Sequence, residues 1–252
     1  KDLNEVEETV ALNTMGTVIH ETLEQLYTPY VGEYLTVACF KKMFLRINDL
    51  VTSNFKNIYL NGDITKGKNK LIFEVSKKQI KRFLEQELKE IKQGKKLKIL
   101  SLERNISTKI NNEGLDFPVK LNGIIDRIDQ LDGITRIIDY KTGIVKSNQL
   151  KVTDFSVMSD DYKFTKALQV MLYAYLYIEE TNFDTSHTIE AGIISFKNLK
   201  SGLLKINLNE KKDENYSISE EKINEFLVEL KRIILEIFDA KTPFRENTNK
   251  AY

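Results

Sequence analysis

Two aspartates and a lysine lie close together within the apolar stretch 123–143, which reads GIIDRIDQLDGITRIIDYKTG. Isoleucine-rich runs on both sides of Asp132-Gly133 predict two strands joined by a tight turn, since both turn residues tolerate a positive φ. Asp126 lies on the first strand, and Asp139 and Lys141 lie on the second. Because Asp139 and Lys141 are two residues apart, their side chains leave an extended strand on the same face.

Two carboxylates gathered among isoleucines are unfavourable unless a cation lies between them. At about 5 Å and an effective dielectric constant of about 20, they repel each other by roughly 3 kcal/mol. A divalent cation turns this repulsion into attraction, and carboxylate oxygens suit Mg²⁺ and Mn²⁺. We therefore expect Asp126 and Asp139 to bind Mg²⁺ or Mn²⁺, with the backbone carbonyl of Tyr140 as a third ligand. The alternative is that Asp126 is solvated at the strand edge, or paired with Arg127 or Lys141.

Four short motifs occur along the chain in a fixed order. They are G-x-x-x-H from Gly16 to His20, G-x-x-D-R-x-D at 123–129, D-Y-K-T-G at 139–143 and Q-x-x-x-Y from Gln169 to Tyr173. This order resembles the PD-(D/E)XK nuclease superfamily, and most closely its RecB-type branch. One D-x-K triplet carries little weight alone, but four ordered motifs over residues 16–173, roughly two-thirds of the chain, form a specific pattern.

The resemblance implies a metal-dependent deoxyribonuclease, an exonuclease module of a larger helicase–nuclease that acts in DNA repair or recombination. Its catalytic residues would be Asp126, Asp139 and Lys141, with the lysine contacting the attacking water or the scissile phosphate. Its partners would be DNA and a helicase domain or subunit of the same protein or complex. A non-cleaving nucleic-acid-binding module on the same fold is the alternative.

Further residues acquire roles from the same resemblance. His20 would be an additional metal ligand, and imidazole suits Mn²⁺ better than Mg²⁺. Gln169 and Tyr173, one helical turn apart, would contact the phosphate backbone or hold the catalytic lysine, although they could also belong to an ordinary packed helix. Glu24, four residues after His20, and Glu103, on an earlier strand, are weaker candidates.

The composition is that of an ordinary globular chain, with 41% hydrophobic and 30% charged residues. The formal net charge is only +1, so nucleic-acid binding has to come from local patches. The basic run 66–98 is one such patch, with 12 Lys or Arg against 4 Glu, although such a run is often just a solvated helix face. Residues 62–69 nearly match the phosphate-binding loop of an ATPase, but Asn69 stands where Ser or Thr is required.

A single cysteine, Cys39, excludes an internal disulfide and a cysteine-ligated zinc or iron–sulfur cluster within this chain. No run of about 18 apolar residues is present, so we expect no membrane span. The first residues do not resemble a signal peptide, and we expect a cytoplasmic protein.

Hydrophobic periodicity defines the predicted elements. Helices are predicted at Leu12–Tyr30, Glu33–Leu60, Leu71–Lys92, Asp161–Glu180 and Ser219–Ala240. Besides the two strands of the central hairpin, strands are predicted at Ile99–Ile110, Phe117–Leu121, Thr188–Phe196 and Leu203–Leu208. Loops are predicted at Asn61–Asn69 and Thr142–Asp160. These elements predict an α/β fold, a central mixed β-sheet flanked by helices, which the resemblance identifies as restriction-endonuclease-like. We expect one domain, 1–252, with an N-terminal helical layer (1–95) that carries His20 and a sheet core (96–252).

Overall fold

The computed structural model of the chain describes residues 12–59, 63–184, 186–209 and 216–244. Within these ranges the helices are α1 (Leu12–Tyr27), α2 (Val37–Ile58), α3 (Gly67–Lys92), α4 (Val157–Asp160), α5 (Thr165–Thr181) and α6 (Glu220–Phe238). The strands are β1 (Leu97–Ile110), β2 (Val119–Leu131), β3 (Ile134–Lys141), β4 (Ile189–Ser195) and β5 (Leu203–Lys205).

The five strands form one sheet in the order β1-β2-β3-β4-β5. Neighbouring strands are antiparallel except β3 and β4, which run parallel because α5 lies in the connection between them. The turn between β2 and β3 is formed by Asp132 and Gly133, which both have the expected positive φ, 51° and 89°. The predicted mixed sheet flanked by helices is therefore confirmed.

Residues of β3 pack into two hydrophobic cores, one on each face of the sheet. Ile137 packs into a core with α5 and α6, whereas Ile138 and Tyr140 pack into a core with α1, α2 and α3. Strand β3 is almost entirely buried because both of its faces are covered by helices. That the chain forms one domain stays a prediction.

Among the described helices, none combines the length and the hydrophobicity that crossing a bilayer requires.

Most predicted elements occur in the structure with shifted ends. Helix α1 stops before Pro29, which lies in a 3-10 turn at Thr28–Tyr30. A second 3-10 turn at Tyr162–Phe164 precedes α5, so this helix begins at Thr165 and not at Asp161. The prediction of regular α-helix across both turns was wrong, since 3-10 segments share the apolar spacing of helix ends.

Other differences concern single boundaries. Helix α2 begins at Val37 and not at Glu33, and α3 begins at Gly67 and not at Leu71; α6 ends at Phe238 and not at Ala240, and β5 ends at Lys205 and not at Leu208. The predicted strand Phe117–Leu121 is the beginning of the longer β2. The predicted loop Thr142–Asp160 contains a 3-10 turn at Ser147–Gln149 and the short helix α4. Residues before α2 are extended because Val31 bridges to Ile99 and Tyr34 to Lys98. The predicted helix end at Leu60 and the start of the loop at Asn61 lie outside the described residues.

The pairing of β4 with β5 depends on the absence of a side chain at Gly192. A Cβ atom there would lie 2.4 Å from the backbone carbonyl oxygen of Leu204, which cannot move without breaking the strand pair. We expect Gly192→Ala to lower the free energy of unfolding by about 1–3 kcal/mol, measured by urea denaturation.

Gly16→Ala is the matched control. A Cβ at Gly16 would lie 3.6 Å from the Thr142 side chain, an ordinary contact, and alanine favours the helical conformation of α1 by about 0.5–1 kcal/mol. Equal stability of the wild type and Gly192→Ala would contradict this account of the β4–β5 pair.

Candidate active site

The two predicted aspartates lie where strands β2 and β3 stop pairing. The last paired residues are Arg127 and Ile138, so Asp126 and Asp139 lie one residue further on. Asp126 Oδ2 accepts a hydrogen bond of 2.6 Å from the Tyr140 amide, which fixes this carboxylate against the end of β3. Both carboxylates are buried, and Asp126 is near enough to raise the pKa of Asp139, although the cluster of ligand atoms within 4.8 Å contains Asp126 and not Asp139.

His20 reaches this point from helix α1. The helix buries an apolar stripe that includes Val18, Ile19 and Leu23, and His20 lies at the edge of that stripe with a quarter of its side chain exposed. Its Nε2 lies 3.1 Å from the Tyr140 carbonyl oxygen, and its Nδ1 faces Asp126 Oδ2 at 3.6 Å. The histidine predicted from the first motif is therefore next to the predicted carboxylates.

Glu103, a weak candidate from the sequence, lies next to His20 and Asp126 in the site. The residues on either side of Glu103 pair with those on either side of Asp126, but Glu103 and Asp126 do not pair with each other. Glu103 has a left-handed backbone conformation with a φ of 42°. Such a conformation costs a non-glycine residue about 1–3 kcal/mol. Each of His20, Glu103 and Asp126 offers one ligand atom within 4.8 Å of the others.

Asp139 is held from two sides. Lys141 Nζ lies 2.9 Å from its Oδ1, and Gln169 Nε2 donates to the same oxygen at 3.0 Å. The second oxygen, Oδ2, is buried and accepts no hydrogen bond from the described residues, although Lys141 Nζ is 2.8 Å away. The contact between Asp139 and Lys141 agrees with the prediction that they share a strand face.

The helical pair Gln169 and Tyr173 belongs to this arrangement. Gln169 Nε2 also lies 2.9 Å from the Tyr173 hydroxyl, so α5 presents a continuous polar chain to Asp139. A Cβ at Gly123 would lie 2.8 Å from the Tyr173 ring, which explains why the second motif begins with glycine. The amide of Gln169 thus contacts the acid that binds Lys141, whereas we expected contacts with phosphate or with the lysine.

The site opens into a cavity of about 570 Å³ beside α1. Glu24, the other weak candidate, lines this cavity together with His20, Glu103 and Lys141. The Tyr140 carbonyl contacts His20, and the buried Tyr140 ring packs edge-on against the His20 ring with 5.7 Å between ring centres. The carbonyl oxygen is therefore available as a further oxygen ligand beside His20.

Negative charge in this site is not fully compensated. Burial, together with the charge of Asp126 and other nearby acids, raises the pKa of Glu103 to about 7. Burial raises the pKa of Asp126 to about 6, although a backbone hydrogen bond and Lys141 oppose the shift. Burial and the charge of Asp126 raise the pKa of Asp139 to about 6. Burial lowers the pKa of His20, so its imidazole is neutral at pH 7.

These residues fit a divalent cation. Three acids with raised pKa values face one neighbouring lysine, and a neutral imidazole is available as a nitrogen ligand. Carboxylate oxygens with one imidazole form a donor set that Mn²⁺ and Mg²⁺ accept.

Protons and a cation compete for these carboxylates. Raised carboxyl pKa values stabilise the metal-free fold below the ordinary value of about 4, and this stabilisation is lost as the pH rises through about 6–7. A cation binds the ionised form, so we expect the rise in melting temperature on adding Mn²⁺ to be larger at about pH 8 than at about pH 5.5. Thermal denaturation with and without Mn²⁺ at both pH values measures this difference, and equal rises would contradict a carboxylate-bound cation.

A second group of charges lies behind the site, on the side of α1 and α3. The fully buried guanidinium of Arg127 lies 2.8 Å from Glu87 Oε1 on α3 and 2.7 Å from Asp129 Oδ2. It also lies 4.7 Å from the centre of the Tyr27 ring and 3.3 Å from the Tyr140 hydroxyl. The proposed alternative in which Arg127 neutralises Asp126 is therefore not observed.

Asp129 joins two arginines in this buried group. Arg136 Nε donates to its Oδ1 at 2.6 Å, while Arg127 Nε donates to its Oδ2 at 2.7 Å. Burial alone would raise the pKa of Asp129, but the charges of Arg136 and Arg127 outweigh it and hold the pKa below its usual value. Both Arg127 and Asp129 belong to the second motif, yet the sequence did not reveal Glu87 on α3 as the second acidic partner of Arg127.

We expect Asp129→Asn to destabilise the fold by about 3–5 kcal/mol, because it leaves two buried arginines with too little negative charge. Glu180→Gln is the control, since it removes a partly exposed ion pair with Arg104 and should cost less than about 1 kcal/mol. Urea denaturation of both variants measures the costs. An Asp129→Asn variant as stable as Glu180→Gln would show that the buried charges do not hold the fold together.

One of three comparisons with known proteins found a match. A family model described as the PD-(D/E)XK nuclease superfamily matches residues 1–250, nearly the whole chain. Comparison with curated proteins and with solved structures gave no match.

Proposed function

The chain belongs to the PD-(D/E)XK nuclease superfamily, and on this premise we propose that it is a metal-dependent deoxyribonuclease of the RecB type. The observation that carries the proposal is the cluster of His20, Glu103 and Asp126, whose ligand atoms lie within 4.8 Å, beside the ion pair of Asp139 and Lys141. Acids of raised pKa next to a lysine supply the groups that phosphodiester hydrolysis requires.

In this proposal the residues have separate tasks. Asp126, Asp139, His20 and the Tyr140 carbonyl hold a Mg²⁺ or Mn²⁺ ion, and Glu103 lies close enough to join them. When bound, the cation lowers the pKa of a coordinated water and offsets negative charge on the phosphate.

Lys141 adds a positive charge beside this group. Its side chain is about one-third exposed and lines the cavity, so the ammonium faces a phosphate or a water there while it stays near Asp139. Gln169 and Tyr173 fix the carboxylate that anchors the lysine, and thereby the position of the ammonium.

The RecB-type order of the motifs supports a wider proposal. We infer that the substrate is DNA, that cleavage proceeds from an end, and that the chain works with a helicase domain or subunit in repair or recombination. A non-cleaving DNA-binding module is the alternative, but such a module would gain nothing from two buried acids and one half-buried acid that repel each other. An ATPase finds no support, because Asn69 stands where Ser or Thr is required and the described chain before α3 contains no strand.

We expect Asp126→Ala, Asp139→Ala and Lys141→Ala each to lower the cleavage rate by on the order of 10²–10³-fold or more, because each removes charge stabilisation at the reacting phosphate. The measurement is the time course of cleavage of labelled single- and double-stranded DNA with Mg²⁺ or Mn²⁺, on open and end-blocked ends. Circular dichroism establishes that the variants are folded. Wild-type rates for either aspartate variant would refute the metal assignment.

The two histidines supply a matched control. His20→Ala should raise the Mn²⁺ concentration required for half-maximal cleavage, since it removes a nitrogen ligand. His187→Ala should leave it unchanged, because His187 is exposed and only pairs with Asp184 at 3.4 Å. A shared response of both variants would mean that the effect does not come from the site.

A further inference from the structure

The basic run on α3 divides into two faces with different surroundings. One face looks onto a groove of about 720 Å³ between α3 and the segment Phe196–Lys200, which follows β4. Five cationic side chains line this groove, namely Lys78, Arg82, Lys89, Lys197 and Lys200, against one acid, Glu85. We call it the α3 groove.

The five cations of the α3 groove form no ion pair with any residue in the described part of the chain. On the neighbouring face of the same helix, Lys77 pairs with Glu74 at 2.8 Å and Lys81 with Glu85 at 3.9 Å. The groove therefore combines three unpaired cations of the basic run with two from the segment after β4, and Lys78 and Arg82 lie one helical turn apart along it.

The groove has a fixed wall. Gln86 on α3 donates a hydrogen bond of 2.9 Å to the Leu199 carbonyl oxygen, and Leu199 is buried. The Phe196 ring packs edge-on against Phe83 of α3 with 5.6 Å between ring centres. These contacts hold the two sides together, so the cations are presented without a rearrangement of the backbone.

The α3 groove lies at the same end of the sheet as the candidate active site. Ser195 at the end of β4 pairs with Lys141 at the end of β3, and the groove segment Phe196–Lys200 follows Ser195 directly. The Ser195 hydroxyl also donates to the Gly143 carbonyl oxygen at 2.8 Å, which ties the start of this segment to the chain after Lys141. A polymer that extends from the site across the ends of β3 and β4 would therefore run toward these cations.

We propose that the α3 groove binds the sugar–phosphate backbone of the DNA substrate outside the bond that is cleaved. This inference rests on the proposed function, since it extends the path of the same substrate. A row of unpaired Lys and Arg side chains complements a row of phosphates, and their release of counter-ions supplies sequence-independent affinity. An acidic protein segment would also be attracted, but the groove lies at the end of the sheet that carries the site, which favours the polymer that the site would cleave.

The test compares two pairs of substitutions on one helix. In the groove pair, Lys78→Gln and Arg82→Gln together remove two positive charges from the groove face. In the control pair, Lys77→Gln and Lys81→Gln together remove two positive charges from the neighbouring face. Fluorescence anisotropy of labelled single- and double-stranded DNA, with Ca²⁺ in place of Mg²⁺ or Mn²⁺, gives the Kd at several salt concentrations.

We expect the groove pair to reduce the slope of log affinity against log salt by about 1.4–1.8 and to raise the Kd on the order of tenfold. The control pair should change the slope by less than about 0.5. Adding Lys197→Gln and Lys200→Gln to the groove pair should reduce the slope further. In cleavage assays the groove pair should raise KM and leave kcat unchanged, since no substituted residue lies in the site.

Equal changes for both pairs would overturn the proposal, because net charge alone would then explain them. Unchanged DNA binding in the groove pair would also overturn it and would leave an acidic protein as the occupant. The two proposals can fail independently. If the wild-type protein binds DNA but never cleaves it, the nuclease proposal is refuted, while the binding data still test the groove.

Discussion

The buried guanidinium of Arg127 is the point on which the positions of the other groups depend. It joins β2 to α3 through Glu87, to β3 through the Tyr140 hydroxyl, and to α1 through the Tyr27 ring. A charge without water around it is tolerated only where partners surround it, so these elements have little freedom to shift relative to one another. The main chain of Tyr140 is held in consequence, and its amide and carbonyl contact Asp126 and His20.

The candidate site has an excess of negative charge, unlike the buried group around Arg127. In that group each buried charge has a partner of opposite sign, whereas in the site the acids outnumber the lysine beside them. Glu103 adds a left-handed backbone to this electrostatic cost. A protein stable by only about 5–15 kcal/mol tolerates such local costs where the surrounding fold is firmly held. The paired charges around Arg127 therefore stabilise the fold enough to permit the uncompensated acids of the site.

The sequence predicted the hairpin and the shared face of Asp139 and Lys141, because strand alternation is a local property that two residues are enough to define. It predicted Glu103 only weakly, since its position depends on a skipped pair and a positive φ that no residue type signals. It could not reveal the contact between Arg127 and Glu87, which lie on different elements and meet only after α3 packs on the sheet. Local patterns were thus sufficient for the strands, and tertiary packing decided the rest.

Helix α3 contributes both to the buried ion pairs around Arg127 and to the α3 groove. Phe83 and Glu87, four residues apart, point into the core, and Glu87 supplies the partner that Arg127 requires. Lys78 and Arg82, also four residues apart, lie on the face that borders the α3 groove. Because the inward face is fixed by a buried ion pair, the rotation of the helix about its axis is fixed too. The direction in which the basic side chains point is therefore determined by the same contact that positions Tyr140, and the groove and the candidate site keep a constant geometry.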